Sequence, residues 1–281
     1  MLKQRVLTAL VLLMLLLPTL WVRPAWPFIA LMGVAVVAAA WEWARLNGLA
    51  SSPAIGFAVL VGAGMALFAG AGAVQGAPLL WWGALIAWAV LGALTLAAGV
   101  GRWPRRPQGL RLALGAGMLW VAWLALAHAR VQGVNFLLSL LCIVWAADIA
   151  AYFGGRAFGR RKLAPTISPG KSWEGVYSGM LGVLLLALLW ITIDPRLGEP
   201  ASSVFSRLHI ALGWVGLALA LVFLTALSVM GDLFESLVKR SAGAKDSSGL
   251  LPGHGGVLDR FDALLPVLPA ALALCSLGSL K

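Results

Sequence analysis

Val176-Tyr177-Ser178-Gly179-Met180-Leu181-Gly182-Val183-Leu184-Leu185-Leu186-Ala187-Leu188-Leu189-Trp190-Ile191-Thr192-Ile193 contains no Asp, Glu, Lys, Arg or His. As a helix the run rises roughly 27 Å, close to the ~30 Å of a hydrocarbon core. A helix satisfies all its backbone N–H and C=O groups internally, so such a run crosses a membrane as one. Outward from it the same pattern recurs at Val6–Val22, Pro27–Trp43, Ala54–Val74, Pro78–Val100, Leu112–Ala129, Val134–Phe153, His209–Met230 and Ala263–Leu280. At about 20 residues each, some nine spans use roughly 180 residues and leave no room for a separate soluble domain. Composition agrees: 61% of the 281 residues are hydrophobic and 11% charged, where soluble domains run about 45–50% and about 25%. Disorder is excluded by the same numbers. The expected fold is an all-α integral membrane protein, a polytopic bundle of about nine transmembrane helices with a polar, cytoplasm-facing site.

The first run follows Lys3 and Arg5, but Trp21-Val22-Arg23-Pro24 is no small-residue cleavage site, so it reads as a retained helix. Many of the 33 glycines lie within spans, where small residues let membrane helices pack closely. Cys142 and Cys275 sit in apolar runs and read as core residues; the tryptophans near span ends read as interfacial anchors. With nine spans, 16 of the 21 Lys and Arg fall on the side of the N-terminus, and Arg23, Arg130, Arg196, Arg207 and Lys281 on the other. The positive-inside bias then puts the N-terminus in the cytoplasm and the C-terminus outside. The net charge of +11 thus calls for no nucleic acid.

Two polar islands interrupt the apolar chain. Five of the ten acids, Asp232, Glu235, Asp246, Asp259 and Asp262, fall between residues 232 and 262. If the eighth helix continues past Met230, Ser228, Asp232, Glu235, Ser236 and Lys239 share one helical face, a pattern that suits a solvated face as well as a site. The continuation favours a site. Gly253, Gly255 and Gly256 surround His254, and such a loop lets backbone N–H groups approach a ligand as phosphate-cradling loops do. Lys239, Arg240, Lys245 and Arg260 bring positive charge, and the flanking carboxylates suit Mg²⁺, which bridges one or two of them to phosphate oxygens. Together these residues read as a metal–polyphosphate site at the membrane surface.

The other island precedes the seventh span. Asp148 lies in or at the end of an apolar helix, with Tyr152 one turn on; it is either a structural carboxylate paired with a neighbouring base or a catalytic or substrate-binding group. Gly170-Lys171-Ser172 lacks the Gly that a P-loop places five residues earlier, where Pro165 stands, and no parallel-sheet strand precedes it. A Ser-His-Asp triad finds no nucleophile elbow, and His128 and His209 are interfacial.

Ser236-Leu237-Val238-Lys239-Arg240, Lys245-Asp246 and Pro252-Gly253-His254-Gly255-Gly256-Val257-Leu258-Asp259-Arg260-Phe261-Asp262 resemble the C-terminal signature of the phosphatidate cytidylyltransferases, or CDP-diacylglycerol synthases. Asp148, Ala151, Tyr152, Gly155, Ser168, Pro169, Lys171, Ser172, Glu174 and Gly175 resemble that family's upstream region. The resemblance implies a membrane enzyme of the cell (inner) membrane that joins CTP to phosphatidate, releasing pyrophosphate. It also implies Mg²⁺, with a monovalent cation such as K⁺, and a homodimer. It assigns Asp232, Asp259 and Ser236 to the metal and Asp232, Lys239, Asp246, His254, Asp259 and Asp262 to catalysis. Asp148, Tyr152, Lys171, Ser172, Arg240, Lys245, Gly255, Gly256 and Arg260 would hold substrate. Residues 1–130 read as N-terminal scaffold helices and 131–281 as the C-terminal catalytic region. The competing readings are a related lipid transferase, such as a CDP-archaeol synthase or a polyprenol kinase, and a transporter. Against the last, the charges gather at one face and no repeated pair of broken helices is present.

Overall fold

The computed structural model describes residues 2–70, 78–196 and 202–280. Residues 71–74 of the third expected span, and Lys281, lie outside them. Nine helices are found among the described residues: α1 (Leu2–Trp21), α2 (Trp26–Leu46), α3 (Ser51–Gly70), α4 (Pro78–Ala98, with a π turn at Trp88–Gly92), α5 (Gln108–Gln132), α6 (Val134–Phe158), α7 (Trp173–Ile193), α8 (Val204–Ser241) and α9 (Leu264–Ser276). One hairpin interrupts the helices. Strands β1 (Lys162–Ala164) and β2 (Ser168–Ser172) pair antiparallel, with Lys162 opposite Ser172 and Ala164 opposite Ser168. The chain is therefore an all-α polytopic membrane protein with a small β-hairpin at the end of one helix.

Eight of the helices are long and apolar enough to cross a membrane. The ninth expected span, Ala263–Leu280, is instead the 13-residue α9 followed by a 3₁₀ turn at Leu277–Leu280. All of Leu264–Ala273 is buried. α9 packs against α8, α4 and α5, so it forms the centre of the bundle and is covered by other helices rather than by lipid.

α8 is broken at Gly213, whose φ of 68° suits a residue without a Cβ. Beyond that break the helix runs roughly 42 Å, some 12 Å more than a hydrocarbon core, and a surplus of about eight residues carries its last two turns, Phe234–Ser241, past the apolar layer. The helix thus continues beyond Met230, and its polar face is intact.

α6 and α7 lie in backbone contact along a seam of small residues. A Cβ on Gly175 would come within 2.9 Å of the Ala151 carbonyl oxygen, and one on Gly179 within 3.0 Å of that of Ala147. The four-residue spacing of these glycines is the small-residue pattern of close membrane helix pairs. At the N-terminus of α7, Ser172 Oγ accepts from Gly175 N at 3.2 Å. Glu174 accepts from Arg160 N at 3.1 Å and Arg161 Nε at 3.1 Å. Cap and clamp fix the hairpin against α7 and so set where Lys171 stands.

Candidate active site

The face of α8 meets the hairpin first. Lys171 Nζ of β2 lies 2.5 Å from Asp232 Oδ2, and Ser236 Oγ donates to Asp232 Oδ1 at 3.3 Å. One turn on, the Lys239 ammonium stands 2.5 Å from both Glu235 Oε2 and Asp259 Oδ1. Glu235 is 1% exposed and its other oxygen, Oε1, has no hydrogen-bond donor. Asp262 feels the charges of Asp232, Lys239 and Lys171, and its Oδ1 accepts from Ala263 N at 2.7 Å. Burial and the Asp232 charge raise its carboxyl to about 7. Three carboxylates, Asp232, Glu235 and Asp259, thus pair with two lysines beside a cleft.

The glycine-rich loop closes onto Asp259. Asp259 Oδ2 accepts from Ser247 N at 2.9 Å, Ser247 Oγ at 2.8 Å and Gly256 N at 2.7 Å. Burial opposes its charge, yet the bonds from Lys239, Ser247 and Gly256 outweigh that and hold the carboxyl down at about 2, from an ordinary 3.8. A depressed folded value means that Asp259 contributes stability that is complete above about pH 4 and is lost as pH falls toward 2. The melting temperature of the detergent-solubilised protein is expected to drop across that window, and Asp259→Asn to remove part of the drop.

The loop is held from the far end of the chain as well. Glu42 of α2 is completely buried and accepts from Val257 N at 2.9 Å, Leu258 N at 2.6 Å, Ser247 Oγ at 3.1 Å and Ser248 Oγ. Ser247 has one hydroxyl proton to offer two carboxylates, so Glu42 and Asp259 are linked through it. Gly256 cannot be replaced here, because a Cβ would fall 1.9 Å from Ser247 Oγ and 2.5 Å from Glu42 Oε1.

Beside this cluster, α6, β2, α7 and α8 enclose a cleft of about 650 Å³ lined by Asp148, Tyr152, Arg156, Lys171, Ser172 and Asp232, among others. A carboxylate cluster, lysines within it, a glycine loop and a cleft walled by α6, β2, α7 and α8 thus lie side by side, a combination of charge and concavity suited to an anionic ligand. The sequence matches the cytidylyltransferase family over residues 3–277. The chain belongs to that family. It is 41% identical to a phosphatidate cytidylyltransferase of Pseudomonas aeruginosa over 98% of this chain and 97% of the relative. To the enzyme of the same name from Haemophilus influenzae it is 37% identical, over 96% of each. To that from Brucella suis it is 35% identical, over 94% of this chain and 89% of the relative.

In this cytidylyltransferase family member the expected site residues divide into three settings. Asp232, Ser236, Lys239, Asp259 and Asp262 gather in the charged cluster. Asp148, Tyr152, Lys171 and Ser172 line the cleft, although the Ser172 hydroxyl is engaged as the cap of α7. The remainder belong to the loop and its surroundings. Arg260 donates to the His254 carbonyl oxygen at 2.5 Å, Arg240 donates to the carbonyl oxygens of Ile167 and Ala244, and Lys245 and Asp246 are exposed. Gly255 has a φ of 85°, and His254 Nδ1 is buried without a partner.

Two functional candidates were missed by sequence reasoning. Glu42 had a signal: a lone acid inside an apolar span, between Trp41 and Trp43, is costly unless it serves a purpose. Arg156, which lines the cleft, had none beyond its place in the basic island.

Proposed function

We propose that this chain is a phosphatidate cytidylyltransferase that converts CTP and phosphatidate to CDP-diacylglycerol and pyrophosphate. The observation that carries the reading is the Lys171–Asp232 pair in the wall of the cleft, on the same helix, α8, as the Lys239 that pairs with Asp259 under the glycine loop. The full-length likeness to proteins of that name supports it.

In this reaction a phosphate oxygen of phosphatidate forms a bond to the α-phosphorus of CTP, the bond from that phosphorus to the bridging oxygen breaks, and pyrophosphate leaves with the electron pair. The nucleophile is the lipid's own phosphate monoester, whose second pKa lies near 6, so neither a protein nucleophile nor a general base is required. What the protein contributes is position and charge. Lys171 and Arg156 offer cations to phosphate in the cleft, and Lys239 holds Asp259 and Glu235 in place behind it.

No group of three or more His, Cys, Asp or Glu side chains is arranged to hold a metal among the described residues. Mg²⁺, however, takes one or two protein carboxylates and completes its shell with waters and phosphate oxygens. Asp232, whose Oδ1 has only the long 3.3 Å bond from Ser236, fits that demand, with Ser236 beside it, and Asp259 is proposed as the second carboxylate. When bound, the ion would neutralise charge on the triphosphate. Synthesis of CDP-diacylglycerol and release of pyrophosphate by the purified protein across a Mg²⁺ titration tests the whole reading. No product with phosphatidate, but product with another lipid acceptor, would reassign the acceptor.

His254 is expected to position a phosphate rather than move a proton. Its replacement by Gln, which retains a donor, should cost less than about 10-fold in kcat and leave the acidic limb of the pH–rate profile in place. Loss of that limb would assign His254 a proton transfer.

The site is proposed to face the cytoplasm, with the N-terminus in and the C-terminus out, α9 and its 3₁₀ turn together rising roughly 27 Å to make the ninth crossing inside the bundle, and the working unit to be a homodimer. Charge bias supports the orientation. A cysteine introduced at Lys245 should react with a membrane-impermeant maleimide only in inverted vesicles. Labelling in right-side-out spheroplasts would reverse the orientation.

A further inference from the structure

On the opposite side of α8 from the cleft, a second cavity of about 370 Å³ runs between α4 and α5. Its walls are Ala84, Trp88, Leu91 and neighbours on α4 and Leu110, Ala113, Leu114, Gly117 and Val121 on α5, with Phe234 of α8 at the back. The π turn at Trp88–Gly92 lies within this wall. A π turn inserts a residue into the helical repeat, widens the helix and is a frequent mark of a functional site. The one hydroxyl in the wall, Thr95 Oγ1, is spent on the Leu91 carbonyl oxygen at 2.7 Å. Gly117 leaves the groove open: a Cβ there would meet nothing within 4 Å.

The groove has one charged residue, Arg106, at the end where α4 gives way to the loop before α5. The Arg106 guanidinium lies over the Trp103 ring at 5.2 Å and has no acidic partner among the described residues. Arg102 and Arg105 are exposed next to it. From Thr95 to Ala84 the wall extends roughly 16 Å along the helix axis, and from Leu110 to Val121 the same. That is about half the ~30 Å hydrocarbon thickness, the depth of one leaflet.

We propose that this groove is a binding site for one anionic phospholipid, with an acyl chain between α4 and α5 and its phosphate on Arg106. A zwitterionic lipid would fill the apolar part equally well, but the cation at the mouth, with no acidic partner among the described residues, and the two exposed arginines favour net negative charge. The site is separate from the catalytic cleft, from which α8 divides it, and does not depend on the reaction catalysed.

The test uses the full chain in detergent, equilibrated with phosphatidylglycerol or phosphatidylcholine of identical chains, and counts retained lipid by native mass spectrometry. Phosphatidylglycerol lacks the phosphate monoester proposed for the substrate. One molecule per chain is expected, retained about 10-fold better than phosphatidylcholine. Arg106→Gln should lower that ratio to about 3 or less, and Gly117→Phe, whose ring fills the groove from an open position, should abolish retention. Phosphatidylglycerol with a diazirine in one chain should label residues 84–95 and 110–121 in the unmodified protein, which keeps the proposal testable if Gly117→Phe fails to fold. Equal retention of the two lipids, labelling confined to other helices, or a Gly117→Phe protein that dissociates from a second copy while keeping its lipid would each overturn the proposal.

Discussion

Asp259→Asn is expected to lower turnover by about 10³-fold or more while leaving a folded membrane protein. The asparagine oxygen can still accept from Ser247 and Gly256 where Oδ2 does now, so the loop retains most of its anchorage. The amide nitrogen must then face Lys239 Nζ, which stands 2.5 Å from Oδ1, and two donors oppose each other. Lys239 is left with Glu235 alone, and the charge proposed to face the metal is gone. A preorganised charge in a partly dry site contributes on the order of 10²–10³ in rate, and here an anchoring ion pair is lost with it. Asp232→Asn should do comparable damage by freeing Lys171 from its partner. Both variants are assayed with CTP and phosphatidate in detergent across a Mg²⁺ titration. Ordinary turnover at ordinary Mg²⁺ would remove these two residues from the site.

Glu42→Gln is expected to cost about 10²-fold in kcat although Glu42 lies in the second helix and touches neither cleft nor charged cluster directly. Its two oxygens divide four donors: Oε1 takes Val257 N and Ser248 Oγ, Oε2 takes Leu258 N and Ser247 Oγ. Whichever way a glutamine is turned, its NH₂ points at a buried backbone N–H and leaves it unpaired, a cost of about 1–3 kcal/mol. That cost falls on the segment from Ser247 to Leu258 that orients Asp259. A residue acting only on global stability would lower the melting temperature and leave the activity of the folded fraction alone. A positioning residue lowers kcat per folded molecule and couples to its relay. Glu42→Gln and Ser247→Ala should therefore be non-additive by at least 0.5 kcal/mol in a double-mutant cycle on kcat/KM. Additive effects, or unchanged kcat in the folded protein, would reduce Glu42 to scaffold.

The difference between these two predictions shows what was legible from the residues. Asp259 stands in a stretch where carboxylates, bases and glycines are neighbours in the chain, and their chemistry can be read without knowing the fold. Asp232, Ser236 and Lys239 were legible for another local reason, since 3.6 residues per turn puts them on one face of α8. Glu42 is separated from Ser247 by 205 positions, and no periodicity connects them. Helix ends were also only partly legible. α6 runs on from Phe153 to Phe158 and α8 from Met230 to Ser241 because hydrogen bonding in a helix continues where hydropathy stops. α9 is shorter than a span because its neighbours, not lipid, bury it.

By itself the sequence determined that the chain must be a bundle of membrane helices, because a run such as Val176–Ile193 has no other way to satisfy its backbone in an apolar medium. It also determined that the polar chemistry is confined to two islands, around residues 148–175 and 232–262, because charge is too costly in such a chain to be placed without a partner. Only the tertiary structure decided the pairings: Lys171 with Asp232, Lys239 shared between Glu235 and Asp259, and Glu42 under the loop. Ion pairs and hydrogen bonds act over about 3 Å, and which groups come that close depends on how the helices cross. That crossing is set here by the glycine seam of α6 and α7 and by α9 at the centre, features spread over the whole chain.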